Sequence, residues 1–227
     1  MATDIHAKRG ATSRMTTAGN RLERRKARTR SALITAAQRF IADGKPNAPI
    51  LEITQAADVG MGSFYNHFDS RDELFAAAVE SALESLGDYL DSLTVELSDP
   101  AEIFAQSFRI TGRLFRLQPE LSRVLVNSGP SLITSTKGLA PRAARDIAAA
   151  TEAGRFVAPD TDLAMALVAG SLLGLGQLLL QQPDRDDAAA ADAMTAGILV
   201  SLGLSRAEAD ELCSRPIPLG AADLEQP

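Results

Sequence analysis

The chain has 227 residues, 45% apolar and only 4% aromatic, which is enough material for more than one helical core. Its one cysteine, Cys213, excludes an internal disulfide and cysteine-based metal clusters, and fits a reducing, cytoplasmic compartment. The net charge of −6 is unevenly spread: residues 1–75 hold 12 Lys and Arg against 8 Asp and Glu, and the remainder holds 11 against 21. A basic front on an acidic body points to a polyanion met by one end.

Residues 1–20 are polar, small and basic, and are expected to form a disordered extension, with Met1 or Met15 as the natural start. They contain no apolar segment of the kind a secretory signal needs. Between Lys8 and Arg30 nine basic residues face only Glu23. A helix is predicted over 24–42, with Leu33, Ala37, Phe40 and Ile41 as its apolar stripe. A short helix over 50–57 follows, turning Ile50, Ile53 and Ala57 inward. Asp58-Val59-Gly60 breaks it, and a third helix of about two turns is predicted over 61–68. Helix, three-residue turn and short helix is the helix-turn-helix arrangement, whose second helix enters the DNA major groove.

The fourth helix opens at Ser70-Arg71-Asp72-Glu73, a capping box in which Ser70 and Glu73 satisfy each other's amides. Further helices are predicted over 100–117 behind Pro100, from Pro119 to Gly129, within 131–153, from Asp160 to Pro183, over 187–202, and over 205–213 behind a second capping box, Ser205 and Glu208. The result is an all-α chain of nine to ten helices. Its domains are the helix-turn-helix over 21–70, a helical ligand-binding and dimerisation domain over 71–215, and a flexible tail over 216–227. The stretch from Leu163 to Leu180 carries no charge and reaches the lower limit of a membrane span. Aspartates flank it and no basic cluster orients it, so the expectation is a helix buried on all sides, not a membrane segment.

The third helix carries the most specific chemistry. In GMGSFYNHFDSRDELF, Gly60 to Phe75, the spacing turns Phe64 and Phe68 to the core and leaves Tyr65 on the polar side. Met61, Gly62, Ser63, Asn66 and His67 occupy the other faces. Gly62 permits close approach to DNA, and hydroxyl, amide and imidazole groups suit phosphates or base edges. Arg24, Arg25, Arg28 and Arg30 form an arm that follows the backbone or enters a minor groove.

These residues resemble the tetracycline-repressor (TetR) family. VGMGSFYNHFDSRDEL is similar to that family's signature, ITQAADV to its second helix and RTRSALITAAQRF to its first, together covering about residues 24–75. The resemblance implies a homodimeric repressor of a palindromic operator, released when a small molecule enters the C-terminal domain. It implies phosphate contacts from Tyr65 and Arg71, base or backbone contacts from Met61, Ser63 and Asn66, and a phosphate or bracing role for His67. It also implies a four-helix dimer interface from the two penultimate helices, built on Leu167, Gly170, Gly174, Leu178, Ile198 and Leu202.

Leu86, Tyr89, Phe104, Phe108, Arg109 and Phe115 are expected to line an effector pocket, favouring an apolar or amphipathic molecule. Where the family commonly has Thr at the start of its second helix, this chain has Ala48 and Pro49. An alternative therefore stays open: a helical small-molecule or partner-binding protein with a weakened, nonspecific DNA-binding domain. With His6 and His67 the only histidines, and no phosphate loop or nucleophile elbow, neither catalysis, a cofactor nor a metal is expected.

Overall fold

The computed structural model describes residues 6–45, 47–129, 135–158 and 160–218, and among them it contains ten α-helices and no strand. They divide into two compact units: Met1–Phe40 with Gly44–Ala78, and Ile41–Asp43 with Val79–Pro227.

The first unit comprises most of α1 (His6–Ala42), α2 (Ile50–Ala56), α3 (Met61–Phe64) and the opening of α4 (Arg71–Thr94). Its core is Leu33, Ile34, Ala37, Ile53, Phe64, Phe68, Leu74, Phe75 and Ala78, all buried. The last three belong to α4, and Gln38 Nε2 donates to the Ala78 carbonyl at 3.1 Å. The boundary therefore falls after Ala78, two turns beyond the expected residue 70, because the first turns of α4 complete this core. The backbone from His6 to Asn20, expected to be disordered, is helical and continuous with the packed part of α1. No proline interrupts it, and a helix already nucleated propagates at little cost. Residues 1–5 lie outside the described residues.

Local signals set most ends. Asp58 takes a left-handed φ of 53° at the turn between α2 and α3. Asp99 caps α5 (Pro100–Leu117), with Pro100 in the first turn; Asp160 caps α8 (Thr161–Gln181) and Asp186 caps α9 (Asp187–Ser201). Ser205 and Glu208 form the full capping box of α10 (Arg206–Ser214). At α4 the box differs from expectation. Ser70 Oγ accepts from the Glu73 amide at 3.1 Å, but Glu73 reaches past Ser70 to the Asp69 amide. The third helix is shorter than predicted, ending at Phe64 with residues 65–67 in a turn. Gly60 brings no capping side chain, and Gly62 and Asn66 are weak helix formers.

The second unit packs α5 against α6 (Pro119–Ser128), α7 (Leu139–Glu152), α8, α9 and α10. Helix α8 is long and apolar enough to cross a membrane by length and composition, with a mean hydropathy of 2.0. It is not buried on all sides: Met165, Val168, Leu175 and Leu179 face the core, while Leu163, Leu167, Gly170 and Gly174 are exposed. Ile198 of α9 and Leu202, which caps it, are each 2% exposed, while Gly197 and Val200 are exposed on the opposite side. Start of the expected tail, Pro216 and Ile217, is strapped down, with Gln106 Nε2 donating to the Pro216 carbonyl at 3.1 Å and Ile217 against the core. Residues 219–227 lie outside the described residues.

Candidate nucleic-acid interface and effector cavity

In the first unit, Phe64 and Phe68 lock the recognition turn from behind, their ring centroids 6.0 Å apart. Tyr65 meets Phe64 edge-on at 5.1 Å and is still 59% exposed, so its ring is oriented while its hydroxyl faces water. Met61, Gly62 and Asn66 are exposed beside it; Ser63 and His67 are half-buried. A Cβ on Gly60 or Gly62 would meet nothing within 4 Å, which leaves the α3 backbone open to close approach by a partner. Helix α2 begins at Pro49 with no side-chain cap, so the missing Thr is not replaced.

Arg71 is positioned but not free. It donates to the Asp72 carboxylate at 2.9 Å and to the Asn47 carbonyl at 3.4 Å, so a phosphate there competes with Asp72. Arg30 lies 5.0 Å from the centroid of the Phe68 ring, a cation–π contact that buttresses the turn. Arg24, Arg25 and Arg28 are exposed.

In the second unit a cavity of about 60 Å³ opens among α4, α5, α7 and α8. One water needs roughly 10–15 Å³ on the same measure, so the space admits several waters or one small ring. Leu90, Phe104, Phe108, Leu139, Val168 and Leu172 form its apolar walls. Asp91, Ser107, Thr111, Arg142 and Asp146 supply polar groups. Of the expected pocket residues only Phe104 and Phe108 line it. Leu86, Tyr89 and Phe115 pack in the core around it. Arg109 is a strut: it pairs with Asp192 of α9 at 2.7 Å and donates to the Arg215 carbonyl at 2.8 Å, fastening α10 to α5.

The polar wall missed from sequence is a network between α4 and α7. Arg142 donates to Asp91 at 2.9 Å, to Glu84 at 3.0 Å and to the Gly138 carbonyl at 2.9 Å, while Arg145 donates to Asp91 and Asp146. Burial works against ionising Asp91, but hydrogen bonds from Arg145 and Arg142 hold its carboxyl below the usual range. Asp146 is more deeply buried, and there burial wins over Arg145 and pushes the carboxyl up. The two carboxyls that line the cavity are thus shifted in opposite directions, one by its arginines and one by burial. The visible signal was Pro-Arg-Ala-Ala-Arg-Asp, three charges set among alanines in the same turns as the buried Ile147.

Residues 33–78 match the family model for bacterial regulatory proteins of the tetR family, and residues 99–215 match that for the tetracyclin repressor-like C-terminal domain. The chain belongs to the tetR family. It is an all-α transcriptional regulator with the family's DNA-binding and C-terminal domains. RolR in complex with resorcinol is 37% identical, with a TM-score of 0.64, covering 86% of this chain and 98% of that one. RolR without ligand is also 37% identical, with a TM-score of 0.71, covering 84% and 98%. The fatty acid degradation regulator FadR from Bacillus halodurans, at 20% identity and a TM-score of 0.62 over 75% of this chain and 94% of that one, shares the fold. No curated protein matches the sequence.

Proposed function

We propose that this tetR-family regulator is a cytoplasmic repressor that binds a palindromic operator as a homodimer and leaves it when a small hydroxylated aromatic molecule fills the cavity. The observation that carries the reading is the cavity's chemistry: α5 lines it with Phe104, Phe108, Ser107 and Thr111, and α4 and α7 add Asp91, Arg142 and Asp146. A single aromatic ring buries its faces against the phenylalanines, and ring hydroxyls add hydrogen bonds to the carboxylates of the Arg142 network that an alkyl chain has no group to make. The resorcinol complex of RolR supports the same class.

Tyr65 and Asn66, with Met61, Gly62 and Ser63, form the surface that reads the operator; His67 braces it, and Arg71 exchanges Asp72 for a phosphate. Leu167, Gly170, Gly174 and Leu178 of α8, with Gly197 and Val200 of α9, supply the self-complementary face of a two-fold dimer. Two-fold symmetry implies a palindrome whose half-sites lie roughly 34–36 Å apart. Occupancy of the cavity acts by favouring a conformation in which that spacing is lost.

The test is selection of bound duplexes from a random library at near-physiological salt, followed by titration of the selected duplex with resorcinol and with a medium-chain fatty acid. An enriched palindrome released by resorcinol alone is expected. A folded dimer that enriches nothing overturns the repressor reading and returns the protein to a small-molecule or partner-binding role. Release by the fatty acid alone overturns the phenol.

A further inference from the structure

Every described arginine beyond residue 70 has a hydrogen-bonding partner: Arg71, Arg109, Arg113, Arg142, Arg145, Arg155, Arg206 and Arg215 hold carboxylates, and Arg116, Arg123 and Arg185 hold backbone or glutamine oxygens. Arg21, Arg24, Arg25 and Arg28 of α1 have no such partner among the described residues, and all four are exposed. At 3.6 residues per turn they fall within an arc of about 100° on one side of the helix. The other side, in register with the buried Leu33, Ala37 and Ile41, carries Glu23, Lys26 and Arg30. There Lys26 pairs with Glu23 at 3.8 Å and Arg30 sits over Phe68. The charges that are satisfied thus lie on one face, and those that are not lie on the other.

Arg21 with Arg24 and Arg25, and Arg28 with Arg24 and Arg25, are like-charge neighbours at i, i+3 and i, i+4, an arrangement that opposes the helix unless an anion neutralises it. We infer that this arginine stripe binds the phosphates of duplex DNA flanking the operator, as a rigid helical extension of the binding surface. The inference rests on the operator reading above. It replaces minor-groove entry by a loose arm, since a helix about 10–12 Å across does not fit a groove about 6 Å wide. A membrane surface is the poorer partner, because an interfacial helix needs an apolar face, and between Arg21 and Arg30 the only large apolar side chain is Leu22. Phosphate contacts add affinity without base preference, so the stripe strengthens binding while the α3 region selects the sequence.

The test compares the full chain with the R21Q/R24Q/R25Q/R28Q variant on the selected palindrome, bare and with roughly one extra helical turn (about ten base pairs) at each end. Glutamine keeps the helix propensity, and circular dichroism confirms the fold. Wild type is expected to gain about tenfold in affinity from the flanks, and its log–log salt slope to steepen by about 0.9 per phosphate contact added. The variant is expected to lose both gains while selecting the same palindrome, and R206Q, at an exposed arginine of α10 outside the stripe, to keep them. Wild-type affinity and slope independent of flank length overturn the inference, as does a variant that keeps the flank gain. Binding to phosphatidylserine vesicles without a flank effect transfers the stripe to a membrane. If no palindrome is enriched, the operator reading fails by itself; the stripe is then read on random-sequence duplexes of the two lengths, where an unchanged slope in the variant overturns it.

Discussion

At Gly87, helix α4 has no side chain because Arg142 lies flat across it: a Cβ there would stand 2.6 Å from three atoms of the guanidinium. The obstacle is the far end of a flexible side chain, so Gly87→Ala displaces Arg142 without forcing the helices apart. The proposed phenol should then bind about tenfold more weakly, roughly 1.4 kcal/mol, as read by calorimetry. The melting temperature should fall modestly, because the displaced guanidinium gives up its bonds to Asp91 and Glu84 and the better helix propensity of alanine offsets only part of that loss. Loss of effector affinity in a protein that still melts cooperatively identifies Gly87 as a positioning residue for the cavity wall; unchanged affinity removes Arg142 from the ligand. Asp192 shows the structural use of the same chemistry. Burial opposes its ionisation, yet hydrogen bonds from Arg113 and Arg109 hold its carboxyl below the usual range. A depressed carboxyl stabilises the fold above its ordinary pKa of 3.8 and loses that contribution as pH falls below it. Asp192→Asn should therefore lower stability at pH 7 by about 2 kcal/mol, a modest value for a broken internal pair because water still reaches the carboxylate. Thermal melts of the two proteins should converge in acid; a constant gap would mean the loss is one of packing.

At the scale of the helix, two glycines on α8 separate its faces. A Cβ on Gly176 would come within 2.5 Å of the Phe115 ring and 2.9 Å of Val126, so α8 approaches α5 and α6 as closely as a bare backbone allows. Gly174, two residues earlier, has nothing within 4 Å. Gly176→Ala should cost about 1–3 kcal/mol through overpacking, measured by urea unfolding. Gly174→Ala should leave the protomer unharmed. Equal effects at both sites would contradict this arrangement of the helix. The capping box of α10 makes a third local case: Ser205→Ala removes the acceptor of the Glu208 amide and should cost about 1 kcal/mol. Its effect should extend to α5, because the strut from Arg109 ends on α10 and the segment after it.

For the whole molecule, the proposed dimer rests on the exposed apolar side of α8 and α9. Leu163 is 69% exposed and Leu167, Leu180 and Val200 about 40%, while Gly170 and Gly197 leave room for a second backbone. Gly170→Arg meets no obstacle inside the protomer and places a charge on that face. Sedimentation should show a folded monomer with the palindrome bound at least tenfold more weakly; an intact dimer would move the interface elsewhere.

The sequence alone determined the all-α class, most helix ends to within a residue or two, and the helix-turn-helix with Phe64 and Phe68 inward and Tyr65 outward. Those features rest on caps, prolines and apolar spacing, which act over a few residues and are therefore legible in one dimension. Helices α8 and α9 escaped that reading because they are apolar all round, so periodicity could not distinguish Gly197, which faces outward, from Ile198, which faces the core. The cavity escaped it for a different reason. Its walls join Asp91 to Arg142 across 51 residues, and Arg109, which spacing placed with the ligand, was claimed by Asp192 across 83. Which charge meets which is decided by how helices cross, and only the tertiary structure brings those partners within a hydrogen bond.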